Sequence, residues 1–400
     1  MWPDPERKMV VFLLFLLCFH ANSSAQQVSA ASPAVQDVGK SAGSQGTGTP
    51  LPPSAKEKPS SAASQPVEDK DIPSLPGATV RVLKEGEKLP QRKDTEYEDW
   101  SRPELTPAVK GKLEADPMGR VERDGFTREF WRVQWRELDP IDLWVIKPAS
   151  VKNPPVVLYL YSYNGSNARY KNDDFCKSLT RGGVAAVGFV SAVTGQRFHD
   201  RAVRQTFVSE LEESLGATTH DVQKILDFLE MRGDMDMNRV GMWGDGSGAS
   251  IAILASAVDP RIKALDLLDP WGDWPEWLAK SSLVLEDQRA EYLTPFFLSG
   301  VADLDPLQYF SKVKAQKVRL QYIKDGISIT PSIVRENMEA AAPPNAEIVH
   351  YENTEAFLEE VATKGVGFDW INANVSTSNP QSKTRDSAQT LLKDKISQPQ

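Results

Sequence analysis

Residues 234–248 read DMDMNRVGMWGDGSG. Within them, Arg239 leads into a short apolar run at 240–243, and glycines follow at 244, 246 and 248. An apolar run of that length, closed by glycine punctuation, fits a buried strand entering a sharp turn. The next stretch, 248–258, is made of small and apolar residues and predicts a helix packed close against its surroundings.

The same alternation continues outward. Upstream, 215–230 places Val222, Ile225, Leu226 and Leu229 on one helical face with charges opposite. Residues 156–161, after Pro154-Pro155, and 184–190, after Gly182-Gly183, are unbroken apolar runs of the kind buried on both faces of a parallel sheet. Downstream, 262–268, 318–323 and 348–351 read as strands, with a helix near 331–341. Near the start, Trp131, Val133 and Trp135 alternate with Arg132, Gln134 and Arg136, the period-2 signature of a strand with one wet face. The run 141–146 answers it after an Asp139-Pro140 turn. Strands alternating with crossover helices predict an α/β fold, a mostly parallel sheet covered by helices on both faces with an antiparallel N-terminal edge. Residues 271–307, rich in Trp and Leu without clean periodicity, read as a small cap inserted above the sheet.

Both ends differ in kind. Arg7 and Lys8 precede an apolar run at 9–19, and small polar residues close with Ser23-Ser24-Ala25. That order predicts a secretory signal peptide over 1–25, hence a secreted or periplasmic protein. The run is too short to span a bilayer, which takes about 20 helical residues, so no transmembrane segment is expected after cleavage. Residues 26–90 and 376–400 carry too little apolar surface to offset the entropy of ordering, and predict a disordered stalk and tail around a domain at 91–375. Cleavage removes Cys18 and leaves Cys176, which has no internal disulfide partner and reads as a buried, inert thiol. Net charge is −9, and loss of Asp4, Glu6, Arg7 and Lys8 leaves it unchanged. An acidic chain without a basic stripe excludes nucleic acid as a partner. The four histidines and the remaining cysteine show no metal-ligand spacing, so neither metal nor cofactor is expected. Oligomeric state leaves no signature.

Residues 234–248 resemble the nucleophile elbow of the α/β-hydrolase superfamily, especially its secreted esterase and dipeptidyl-peptidase-like members. There, Asp-x-x-Arg leads into a strand that ends in Gly-x-Ser-x-Gly. Residues 257–264 (AVDPRIKA) are similar to the family's link into the next strand, and Asp305-Pro306-Leu307 to its approach to the acid-bearing strand. Gly367-Phe368-Asp369-Trp370 resembles the sequence after its catalytic histidine. The resemblance spans roughly 115–375. It implies an α/β-hydrolase fold and, for an intact member, serine hydrolysis of carboxyl esters or peptides.

The catalytic positions depart from the family. With Gly244 and Gly248 as the flanking glycines, the nucleophile's place is Gly246; counting seven residues on from Arg239 lands there too. Where the family carries His-Gly-Phe, this chain has Val366-Gly367-Phe368. The expected acid falls at Ile327 or Ser328, with Asp325 close by. Glycine has no nucleophile and valine holds no proton, so the chain reads as a pseudo-hydrolase.

Other residues compete for these roles. Ser247 is an alternative nucleophile flanked by Asp245 and Ala249; alternatively its hydroxyl satisfies free N–H groups opening the helix. His199, His220 and His350 read as surface or structural histidines, while Asp269 and Asp273 are acids for a variant triad. A ligand pocket survives in this reading. The Ser247 N–H sits at a helix N-terminus suited to an oxyanion or carboxylate, and Tyr163 and Asn164, in the place of the family's oxyanion loop, supply a wall and an amide. Trp271, Trp274 and Trp277 cover the opening or pack the cap onto the sheet. Three functions follow: a non-catalytic binding or scaffold protein for a small molecule or peptide, a serine esterase or peptidase acting through Ser247, or a structural envelope protein without a ligand.

Overall fold

The computed structural model describes residues 98–106, 113–163, 165, 167–194, 197, 207–325, 330–363 and 367–376. The expected signal peptide and stalk, and the tail beyond Ser376, lie outside the described residues. Among the described residues nine strands form one sheet: β1 (Glu114–Arg123), β2 (Phe126–Gln134), β3 (Ile141–Pro148), β4 (Pro155–Leu160), β5 (Ala185–Phe189), β6 (Asp236–Asp245), β7 (Ile262–Leu268), β8 (Lys317–Ile323) and β9 (Glu347–Tyr351). Their spatial order is β1-β2-β3-β5-β4-β6-β7-β8-β9. The β1, β2 and β3 pairings are antiparallel and all later ones parallel.

Ten helices accompany the sheet among the described residues. They are α1 (Asp173–Leu179), α2 (Leu211–Arg232), α3 (Ser247–Val258), α4 (Trp274–Lys280), α5 (Arg289–Tyr292), α6 (Pro295–Val301), α7 (Pro306–Tyr309), α8 (Ser332–Ala341), α9 (Thr354–Thr363) and α10 (Asp369–Ser376). The expected α/β architecture is present, with α3 against β6 and β7 on one face and α10 against β4, β6 and β7 on the other.

Strand periodicity explains the two-faced core. Along β4, Val156, Leu158 and Leu160 join the cluster that holds α2 and α3, whereas Val157 and Tyr159 join the one that holds α1 and α10. Each fully buried aliphatic side chain removes enough apolar surface to contribute about 1.5–3 kcal/mol. Helix α3 is buried all round because Ala249, Ala252 and Ala255 leave room for the sheet on one side and α2 on the other. The longer α2 begins before the expected window and stops at Gly233, whose φ of 67° provides the left-handed cap residue.

Strand β1 was not legible, since its residues are exposed nearly throughout and Pro117 interrupts the ladder with a register shift at Pro117/Gly119. The site is placed by topology. After β4 the chain steps to β5 on one side and then returns to β6 on the other. Such a switch point leaves a crevice beyond the C-terminal ends of β4 and β6, where α/β sheets bind ligands.

Candidate functional site

Strand β6 ends at Asp245 and α3 starts at Ser247, so Gly246 makes the bend with φ 54° and ψ −118°. An ordinary side chain held there is strained by about 1–3 kcal/mol, which glycine avoids. The Gly246 N–H donates to Leu268 O at 2.9 Å, and its carbonyl accepts from the Ala249 and Ser250 N–H groups, each at 3.1 Å. Close backbone approach surrounds the bend. A Cβ on Gly244 would lie 2.6 Å from the Ala249 backbone, and one on Gly248 would lie 2.0 Å from Leu160 O. These two contacts centre the bend on Gly246.

The space above Gly246 is filled. A Cβ there would meet Ser162 Oγ at 2.5 Å, and Ser162 Cβ and Trp271 Cζ2 at 3.1 Å each. Trp271 is 1% exposed and packs on Trp277 at 4.9 Å and on Phe207 at 5.2 Å between ring centroids. Tyr163 continues the cluster, 5.1 Å from Phe207. One hydroxyl fixes the tryptophan's main chain: Ser250 Oγ donates to Trp271 O at 2.6 Å and accepts from its N–H at 2.9 Å. Trp271, Trp274 and Trp277 are all buried, so they are packing residues of this layer.

Ser247 is fully buried, and its Oγ accepts the Tyr163 N–H at 2.7 Å. The expectation that this hydroxyl satisfies amides of its own helix is corrected; α3 has no side-chain cap, and the hydroxyl ties the helix to the loop after β4. The main-chain N–H of Ser247 remains at the helix N-terminus, where partial positive charge favours an anion. Asn164 lies outside the described residues, as do His199, Ile327, Ser328 and Val366.

Both described histidines make their bonds elsewhere. His220 is buried in α2, with Nδ1 at 2.8 Å from Glu98 Oε1 and Nε2 at 2.9 Å from Arg102 O. His350 Nε2 lies 3.3 Å from Glu339 Oε1, and its ring stacks on Tyr322. Asp325 is exposed beyond the end of β8. Asp269 has a φ of 44°, and its carbonyl accepts from Thr330 Oγ1 at 3.1 Å. The Asp273 carboxylate accepts from Asn337 Nδ2. Cys176 is buried, and its environment pushes the thiol up to about 11, chiefly by desolvation.

Asp245 went unremarked as a titrating group. Burial raises its carboxyl to about 6, partly offset by Arg169 and by the Ser162 N–H that hydrogen-bonds it. The Arg169 guanidinium in turn lies 3.4 Å above the Tyr161 ring. With the folded value above the unfolded one near 3.9, this acid's contribution is fully present below about pH 4 and is lost as pH rises through about 6, leaving a penalty of order 3 kcal/mol at neutrality. Asp245→Asn is therefore expected to raise the melting temperature at about pH 8, with the gain shrinking towards zero near pH 4. Thermal melts of both proteins across that range check it, and a gain that does not vary with pH would contradict it.

The cleft beside Ser162, lined also by Tyr161, Gly165, Asn167, Phe189, Val190 and Ser191, has room for about one water molecule. Among the described residues no group of three His, Cys, Asp or Glu is placed to hold a metal ion, and no helix is long and apolar enough to cross a membrane.

No family model matches the chain, and no curated protein matches it. Among solved structures, an acetyl xylan esterase from Paenibacillus sp. R4 superposes with a TM-score of 0.52 at 15% identity, covering 66% of this chain and 90% of that one. Acetyl xylan esterase 1 from Thermoanaerobacterium sp. JW/SL YS485 gives 0.49 at 14% identity, covering 64% and 87%. At such identities the likeness is one of fold, that of the α/β-hydrolases.

Proposed function

We propose that this chain, an α/β-hydrolase fold with glycine at its elbow, is an exported, non-catalytic binding or scaffold protein. The observation that carries the reading is the occupied bend: Gly246 offers no electron pair, and Ser162 and Trp271 fill the volume a nucleophile would need. The sequence adds Val366 at the place of the general base. Export rests on the charged, apolar and small-residue order of 1–25.

The burial of Ser247 and its bond to the Tyr163 N–H speak against the relocated-nucleophile reading, because a nucleophilic hydroxyl needs a base in hydrogen-bond reach and an open approach. The Ser247 main-chain N–H, with Tyr163 beside it, is the place for a small anionic ligand, which would enter only if the aromatic layer moves. Without such a ligand, the scaffold reading merges with that of a structural envelope protein.

A panel of short-chain carboxyl esters and peptide amides tests the proposal. Turnover at the uncatalysed rate is expected. Hydrolysis above that rate, abolished by Ser247→Ala, would return the chain to the serine hydrolases.

A further inference from the structure

Strand β1 stands at the outer edge of the sheet, and among the described residues no strand pairs with its far side. It is exposed almost throughout, and that includes Met118 at 49% and Val121 at 37%. An open edge of this kind offers a row of main-chain donors and acceptors to another strand. Pro117 and the register shift at Pro117/Gly119 close the usable stretch on one side, and the Asp124-Gly125 turn closes it on the other. Residues 119–123 remain, with Val121 at their middle.

The ladder with β2 decides which of these residues can pair outward. Arg123 and Phe126 are paired directly across a two-residue turn, so they exchange main-chain bonds. Alternation then turns Gly119, Val121 and Arg123 towards β2 and leaves the N–H and C=O groups of Arg120 and Glu122 pointing away from the sheet. A strand laid antiparallel on this edge must set outward residues opposite outward residues. For two copies of β1 related by a two-fold axis, the axis near the middle of the stretch therefore passes through Arg120, Val121 or Glu122. At Arg120 it sets arginine on arginine, and at Glu122 glutamate on glutamate; like charges directly opposite are destabilising. At Val121 it sets Arg120 opposite Glu122 of the second copy and Glu122 opposite its Arg120. That axis also uses the whole stretch.

The side chains suit the same pairing. Arg120 and Glu122 project from one face of β1, and Arg120 donates to Glu122 Oε1 from Nε at 2.9 Å and from Nη2 at 2.7 Å. Thr127 Oγ1 donates to the other carboxylate oxygen at 2.6 Å, and Glu129 lies 3.5 Å from Arg120. Pairing about Val121 lays this exposed ion pair beside its inverted copy, so each charge gains an opposite one across the axis. On the other face the two Val121 side chains meet as a closely opposed pair.

We propose that β1 is a homodimer edge, where two copies of the chain join antiparallel about Val121 and continue one sheet into the other. The contact is isologous and closes at two chains. Four strands separate β1 from β6, so the pairing does not depend on what happens at Gly246.

Sedimentation of the full chain across the micromolar range, in low salt, tests the pairing. The mass of two chains is expected at the upper end and that of one at the lower. Arg120→Glu and Glu122→Arg each turn two attractive pairs into two repulsive ones, and each alone should weaken the dimer about tenfold or more. Both side chains are largely exposed, so the fold of the single chain is retained. Mixed in equal amounts the two variants complement each other and should regain the dimer, as should the two substitutions combined in one chain. Single chains at every concentration would leave the edge to an extended segment of another protein and overturn the proposal. Dimers that both single variants leave intact would overturn it too, as would a failure to recover on mixing.

Discussion

Gly248→Ala should destabilise the protein by about 3 kcal/mol or more, at the severe end for added volume in a packed interior. The new methyl would sit 2.0 Å from the Leu160 carbonyl oxygen and 2.7 Å from its carbon, and both are backbone atoms of the strand beside the bend. No rotamer change relieves a contact with main chain. Either α3 must move off the sheet, or β4 must bend away and carry with it the loop that anchors on Ser247. Both alternatives disturb the buried layer over Gly246. Gly119→Ala is the control: a Cβ there meets nothing within 4 Å, so its effect should stay within about 0.5 kcal/mol. Urea denaturation midpoints compare the two, and a Gly248→Ala shift as small as the control's would contradict the packing described.

Much of this fold was legible because its parallel strands are buried on both faces. Residues 156–161 and 184–190 have no polar residue to show, and their apolar runs mark β4 and β5 to within a residue or so at either end, while 262–268 marks β7 in spite of Lys263 and Asp266. The bend was legible for a related reason, since the glycines at 244 and 248 are spaced by steric need and pick out the residue between them. Elements held by pairing alone were hidden. Strand β1 exposes Met118, Val121 and its charges together, so no periodicity announces it; it exists because β2 offers an open edge. Helix α10 was equally obscure, lying at the limit of the expected domain with only Ile371, Asn372 and Val375 buried.

The occlusion of the site was beyond the reach of sequence for a different reason. Ser162, Phe207, Gly246 and Trp271 come from four separate segments, and only tertiary packing brings them together. Reading Gly246 at the family's nucleophile position concerns only the residue at the bend. It left unseen that the side chains of Ser162 and Trp271 crowd the space above Gly246, and that Asp245 beside it is a buried acid. The tryptophans were read as either lid or packing, and burial decides for packing. Asp221 and its arginines gave no local signal either, since Trp135, Arg136, Arg197 and Asp221 meet only across the domain.

Placing a serine at the bend should be harmful, with part of the harm lodged in one neighbour. Gly246→Ser brings backbone strain of about 1–3 kcal/mol together with overlap of similar size against Ser162. The strain belongs to the bend and persists in any background. The overlap belongs to the Ser162 side chain, 2.5 Å from the new Cβ, and disappears when that side chain is removed. A double-mutant cycle over Gly246→Ser and Ser162→Gly, read by urea denaturation, separates the two. If the bend is filled as described, serine at 246 costs less in the Ser162→Gly background by about 1 kcal/mol or more, as expected for residues in direct contact. An equal cost in both backgrounds would mean that the space above Gly246 is open, and the account of an occluded, non-catalytic site would be wrong.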